Sequence, residues 1–434
     1  MPRSWAKQPS PILCARYRAH CHGIRAIFWA DAPSLHLFRI QQVCQIRDYK
    51  RKKSFGVSPI ITNPLNQPSI SVNHRLLSLD VLRGITIVGM IIVNNGVGER
   101  CFVPLEHAAW NGLTPTDLVF PFFLFMVGVS IALSLGKYSP AASQSLAKGT
   151  AIRKVLVRSV KLFLIGLLLT FSGPLLRGKP IPEILEGLRI WGVLQRIALC
   201  YLFAALISLY VRPQHLWRVI AALLIAYTAF LLLGNGYAAD ETNLACRIDR
   251  ALVGPSHVYA HSPVDPEGLA GTLSAIAHTL IGVVVGFMLK APGSLPDRLV
   301  RFFGLATALS LGGYLLSYGL PINKTIWSPS YTLLTSGIAA ALLAWLTVLT
   351  DLRGWTLWCR PFQWFGMNAI ALFVGSGLLA RIFIPLHIPG TLYNAYLSTG
   401  MTEEWASLAY ALTFLAIMTA LAYGLYRKQI FLKL

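Results

Sequence analysis

From residue 76 onward, long apolar runs alternate with short polar segments, and the apolar runs are too long for the core helices of a soluble domain. Ten stretches suffice to cross about 30 Å of hydrocarbon as helices, at approximately 77–95, 117–136, 155–173, 190–210, 216–234, 269–289, 299–318, 331–350, 363–384 and 406–426. The pattern predicts an all-α, polytopic membrane protein with about ten transmembrane helices.

Charge between the stretches orients them, because an excess of Lys and Arg marks the cytoplasmic side. One set of loops carries fourteen basic residues, Lys137, Lys148, Arg153, Lys154, Arg212, Arg218, Lys290, Arg298, Arg301, Arg353, Arg360, Arg427, Lys428 and Lys433, against the acids Asp297 and Asp351. The opposite loops hold nearly all remaining acids, among them Glu99, Glu106, Asp240, Glu241, Asp249, Asp265, Glu267, Glu403 and Glu404. Both termini are expected on the cytoplasmic side, and the loops after the first, fifth and ninth stretches face outward.

Composition agrees with this division. The 434 residues are 55% hydrophobic and 13% charged, where a soluble domain carries about a quarter charged residues. The formal charge of +21 would suit nucleic acid, but the basic residues are dispersed between apolar runs and sorted by side, so no nucleic-acid partner is expected. Residues 1–74 carry 11 Lys/Arg against 2 Asp/Glu, and the other 360 residues carry 27 against 15.

The chain therefore divides into a basic extension, 1–74, and a membrane domain, 75–434. The apolar run Ala26–Ala30 is shorter than a signal-peptide core, and Arg47, Lys50, Arg51, Lys52 and Lys53 followed by Pro59, Pro64 and Pro68 read as a disordered segment suited to anionic lipid, or as residues upstream of the true start. Cys14, His20, Cys21 and His22 match no common zinc spacing and no second ligand pair follows, so no metal is expected. Cys101 and Cys246 both fall in outward loops, which allows a disulfide. The lipid bilayer is the expected environment, and a homodimer is among the states the sequence allows.

The densest polar constellation lies between the first two stretches, where Asn94-Asn95 end the first and His107-Ala-Ala-Trp-Asn-Gly-Leu-Thr-Pro-Thr-Asp117 leads into the second. Thr114, Pro115 and Asp117 make a good helix start, since Thr caps, Pro suits the first turn and Asp complements the positive helix end. That account leaves His107, Trp110 and Asn111 unexplained. Imidazole serves near neutral pH as a general base or a transient acyl carrier, and otherwise His107 is an interfacial loop histidine beside Glu106.

Asp80 and Arg83 share a helix face and either pair structurally, line a wet cavity or snorkel to the interface. Arg196 in Val193-Leu-Gln-Arg196 lies well inside a stretch, where a guanidinium suits an anionic ligand. Asp265 and Glu267 precede the sixth stretch, suited to a helix N-terminus or to a sugar amine and its hydroxyls. His278 reads as a buried structural histidine, Gly282 and Gly286 as a helix-packing face, Pro321–Lys324 with Trp327 as an interface anchor or polar ligand contact, and Asn368 as an intramembrane amide in need of a partner. No P-loop, Gly-x-Ser-x-Gly elbow, zincin helix or dinucleotide fingerprint is present.

The ordered strings SLDVLRG (78–84), Asn94, HAAWNGLTPTDLVFPFF (107–123), VLQRIA (193–198), DPEGL (265–269), PINK (321–324), FGMNA (365–369) and YRKQIF (426–431) together resemble the heparan-α-glucosaminide N-acetyltransferase family and its bacterial relatives, from about residue 74 to the C-terminus. The resemblance implies transmembrane acetylation, with cytosolic acetyl-CoA as co-substrate and the free amine of a glucosamine-type sugar on the other side as acceptor. It implies His107 as the active residue assisted by Asn94. The residues themselves add Trp110, Asn111, Asp117, Asp265, Glu267, Lys324 and Asn368 as candidate substrate contacts and Arg83 or Arg196 as candidate contacts to the CoA phosphates. Residues 1–74 depart from the family, in which a lumenal domain precedes the first conserved helix. Some bacterial relatives are described as N-acetylglucosamine-related transporters, so an amino-sugar transporter is the competing reading, with Asp265, Glu267 and Asn368 holding substrate without chemistry.

Overall fold

The computed structural model describes residues 76–142 and 147–432. The basic cluster at 47–53, the Cys14 to His22 group and Lys433 lie outside the described residues.

Helices α1 (Leu77–Asn94), α2 (Val119–Leu135, entered through a 3-10 turn, Pro115–Leu118), α3 (Lys148–Leu176), α5 (Val193–Tyr210), α6 (Leu216–Leu233), α8 (Leu269–Lys290), α9 (Leu295–Leu316), α10 (Pro329–Thr347) and α14 (Glu403–Arg427) correspond to nine of the ten expected stretches. Short helices α4 (Ile181–Glu186), α7 (Leu244–Val253) and α13 (Ile388–Ser398) occupy the loops. Among the described residues nine helical segments are long and apolar enough to cross a membrane, and α11 (Arg360–Met367) with α12 (Ala369–Phe383) supplies a tenth if that bent pair is counted as one.

The ninth stretch is where the structure departs from the continuous helix expected over 363–384. α11 and its leading turn meet α12 at a 72° bend at Asn368. Asn368 Nδ2 donates to the Ile430 carbonyl at 3.0 Å and its Oδ1 accepts the Leu432 amide at 3.0 Å, so the side chain pairs with the C-terminal tail at the point where the helix breaks. An amide at membrane depth needs such partners.

Two glycine contacts set the framework. α8 packs against α2, α5, α6 and α10, and a side chain at Gly128 of α2 would overlap the Thr279 carbonyl of α8, while one at Gly282 would overlap the Phe125 carbonyl. Gly282 and Gly286 thus form the packing face read from the sequence, with Gly128 as a partner, because without a hydrophobic force between helices in lipid close backbone approach supplies the attraction. Gly84 on α1 and Gly366 on α11 meet the backbone of Phe362 and Asp80 in the same way, which accounts for the glycines of two motif strings.

His278 is fully buried in α8 and stands 3.3 Å from Ser336 Oγ of α10. The disulfide allowed between Cys101 and Cys246 is absent: both thiols are free, Cys246 being buried beside Tyr227, Leu231, Val264 and Ile326, and Cys101 donating to Glu106 at 3.4 Å.

Candidate active site

The chain between α1 and α2 folds back over the end of the bundle. Asp117 opens the turn into α2, and its carboxylate accepts the backbone amides of Ala108 and Thr114, both at 3.1 Å. The same carboxylate reaches His107, with Oδ1 at 2.7 Å from Nδ1. One residue therefore both starts the helix and orients the imidazole. Asp117 is buried, whereas the His107 side chain is 53% exposed and lines a cavity of about 480 Å³.

The third member comes from the loop ahead of α10. Lys324 Nζ lies 2.9 Å from His107 Nδ1, 3.2 Å from Nε2 and 3.4 Å from Asp117 Oδ1. Burial pushes the Lys324 ammonium pKa down, opposed by the charges of Asp117 and Glu267. Its loop is held rigidly: Asn323 Oδ1 accepts the Ile326 amide at 3.1 Å, Asn323 Nδ2 donates to Asn111 Oδ1 at 3.2 Å, and the Gly112 amide donates to the Ile322 carbonyl at 2.8 Å. Trp327, fully buried, closes the turn in the left-handed region at φ 55°, a conformation held only where surrounding bonds enforce it. Asn111 thus clips the two loops together.

Asn94, Trp110, Glu267 and Arg189 line the same cavity. Trp110 Nε1 donates to the Tyr237 carbonyl at 3.0 Å. Glu267 and Asp265 diverge despite being two residues apart. Asp265 is buried, accepting Arg189 Nη2 at 2.5 Å and the amides of Tyr259 and Glu267 at 2.9 Å, whereas Glu267 takes Arg189 at 2.6 Å and faces the cavity. Arg189 also stacks over Tyr259 at 4.5 Å.

Arg196 reaches neither this cavity nor the second one described below. It is buried under Trp327, 5.2 Å from the ring, and Nη2 donates to the Gly268 carbonyl at 2.7 Å. Asp249 of α7 accepts the neighbouring Leu269 amide at 2.8 Å, and burial pushes its carboxyl up to about 6. Arg196 and Asp249 together hold the turn that carries Glu267 and starts α8.

A second cavity of about 660 Å³ opens at the other end of the bundle, lined by Asp80, Arg83, Ser130, Arg158, Lys290 and Asn368 among others. Arg83 bonds Asp80 at 3.1 Å and also Ser130. Arg158 stacks over Tyr201 at 4.9 Å, and Lys290 donates to the Leu133 carbonyl at 2.6 Å. Asn368 lines this cavity rather than the one holding His107, and its amide is engaged by the tail. In the sequence Lys290 counts only among the orientation charges and Arg158 carries no signal, because a basic side chain on a helix has no local sign of facing inward.

Residues 75–245 match the family model described as heparan-alpha-glucosaminide N-acetyltransferase, catalytic. Over 441 aligned positions the chain is 30% identical to the heparan-alpha-glucosaminide N-acetyltransferase of Homo sapiens and 29% identical to that of Mus musculus, in each case over 87% of this chain and 64% of the relative. The chain resembles the heparan-alpha-glucosaminide N-acetyltransferases. It spans somewhat under two thirds of the length of these curated relatives. The family match contains Arg83, Asn94, His107, Trp110, Asn111, Asp117 and Arg196, and ends before Asp265, Glu267, Lys324 and Asn368. Lys324, beside His107 in space, is therefore tied to it by the fold and not by that match.

Proposed function

We propose that this protein is a membrane N-acetyltransferase that carries an acetyl group from cytosolic acetyl-CoA to the amine of a glucosamine-type sugar on the opposite side. The observation that carries the reading is the His107–Asp117–Lys324 cluster, open to a cavity that backs onto a second, cationic one. Both termini lie on the cytoplasmic side of a bacterial inner membrane in this reading, which follows the alternation of basic loops.

With Asp117 accepting from Nδ1–H, the imidazole presents Nε2 as its basic nitrogen. Attack by the sugar amine on the thioester forms the C–N bond and breaks the C–S bond. The amine proton passes to His107 Nε2 and then to the departing CoA thiolate, giving the N-acetyl sugar and free CoA. Lys324, 3.2 Å from Nε2, is placed to hold the carbonyl oxygen as negative charge develops, the role for which a fixed cation in a sheltered site is most effective. A route in which Nε2 carries the acetyl group uses the same groups. Glu267 suits the neutral amine of the incoming sugar as a hydrogen-bond acceptor, and Arg83, Arg158 and Lys290 suit the CoA phosphates.

Purified protein supplied with radiolabelled acetyl-CoA and a panel of amino sugars should form N-acetylglucosamine from glucosamine, and absence of transfer to every amino sugar would overturn the reading. The broken α11–α12 pair favours the transporter alternative, since discontinuous helices line the sites of many transporters. Uptake of labelled amino sugar by proteoliposomes lacking acetyl-CoA would establish it.

A further inference from the structure

The two cavities share walls. Phe123 of α2 and Ile370 of α12 line both, and on every other helix between them the lining changes hands within one turn. On α1, Arg83 faces one cavity and Thr86 and Ile87 the other; on α5, Tyr201 faces one and Ile197 the other. Steps of three or four residues correspond to roughly 4.5–6 Å along a helix. The partition is also apolar, with the buried Ile87 and Ile197 lining the first cavity together with Phe123 and Ile370.

The geometry points to Phe123 and Ile370 as an acyl-length filter between donor and acceptor cavities. This inference rests on the acetyltransferase reading and adds a specificity element to it. A partition one turn thick is about the length of a thioester with its acetyl group, so the reactive end of the donor reaches His107 while the charged nucleotide stays behind with Arg83, Arg158 and Lys290. The apolar wall admits that end and obstructs water and sugar, for which it offers no hydrogen bond. Each further methylene on the acyl group must be packed against Phe123 and Ile370, whose side chains fix the space available. Neither residue touches the reacting atoms; they set which donor arrives.

Two experiments test it. In the first, initial rates with acetyl-CoA and butyryl-CoA are compared for wild type, Phe123→Ala and Ile370→Ala. The expected result is a butyryl-to-acetyl ratio raised about tenfold or more in the variants, the scale of discrimination that an apolar pocket achieves per methylene. Retained acetyl transfer with an unchanged ratio overturns the filter and leaves the acetyltransferase reading intact, whereas no transfer by wild type overturns the reading itself.

The second experiment needs no turnover. In sealed vesicles, over the wild-type background, Phe123→Cys should be labelled by small charged thiol reagents from both sides, Thr86→Cys only from the His107 side and Ser130→Cys only from the other. If Phe123→Cys is labelled from one side alone, the shared wall is refuted, including where alanine variants fail to accumulate.

Discussion

Lys324 and His107 are 217 residues apart in the chain, yet Lys324 Nζ stands 2.9 and 3.2 Å from the two nitrogens of the imidazole. Both also meet Asp117, so a carboxylate, an imidazole and an ammonium form one compact cluster at the wall of a cavity. In the proposed mechanism the arrangement separates duties: the carboxylate orients the ring, the ring handles the proton, and the ammonium meets the oxygen on which charge collects.

Lys324→Met keeps the length of the side chain and removes its charge. Its kcat should fall by about 10²–10³, the usual effect of losing one oxyanion donor, with little change in KM for either substrate. Steady-state kinetics in detergent check this.

The pH profile should carry the same residue. Burial lowers the Lys324 pKa, and in this mechanism the ammonium must be protonated, so activity falls as pH rises through a value below the ordinary 10.5 of lysine. In Lys324→Met that alkaline limb should disappear from the profile of the residual activity.

Asp117→Asn preserves shape and the backbone bonds that start α2 but no longer dictates the tautomer of His107. Turnover should drop by about two to four orders of magnitude, as when an orienting carboxylate is neutralised in a triad, while the melting temperature moves little. A large loss of melting temperature would assign Asp117 to the fold alone.

At the other cavity, Arg158→Gln should raise KM for acetyl-CoA about tenfold, the scale of a lost hydrogen bond to a charged group, and leave KM for the sugar unchanged. Equal effects on both substrates would remove Arg158 from the donor site.

The buried Asp249 sets a stability window. Its folded carboxyl is raised to about 6 from 3.8, so between those values the folded protein binds more protons than the unfolded one. Stability should therefore fall as pH rises from about 4 to about 6 and level off above. Thermal unfolding across that range checks the sign, and Asp249→Asn should flatten the slope.

The spans were legible in the sequence because a helix crossing hydrocarbon needs some twenty apolar residues in a row. The break at Asn368 was not, since the amide bonds a tail 62 and 64 residues further on. Around the site, His107 and Asn94 stood out through the resemblance and Asp117 through its helix-starting pattern, whereas the partnership of Asp117 with His107 emerged only when the loop folded back.

Charges proved hardest to read. Asp265 and Glu267 are alike in sequence, yet one is buried on Arg189 and the other faces the cavity. Arg196 reads from the sequence as a ligand contact and in the structure braces Gly268, while Arg158, an ordinary basic residue within α3, lines the second cavity. Nothing local distinguishes a buried brace from an exposed contact when the deciding neighbour lies on another helix.

In the proposed mechanism the acetyl group passes between separate compartments through His107. Proteoliposomes with acetyl-CoA enclosed with the cytoplasmic face and glucosamine supplied outside should accumulate N-acetylglucosamine outside while CoA stays within, and His107→Ala should yield none. Full product formation by correctly folded His107→Ala, or product confined to the acetyl-CoA compartment, would contradict the account.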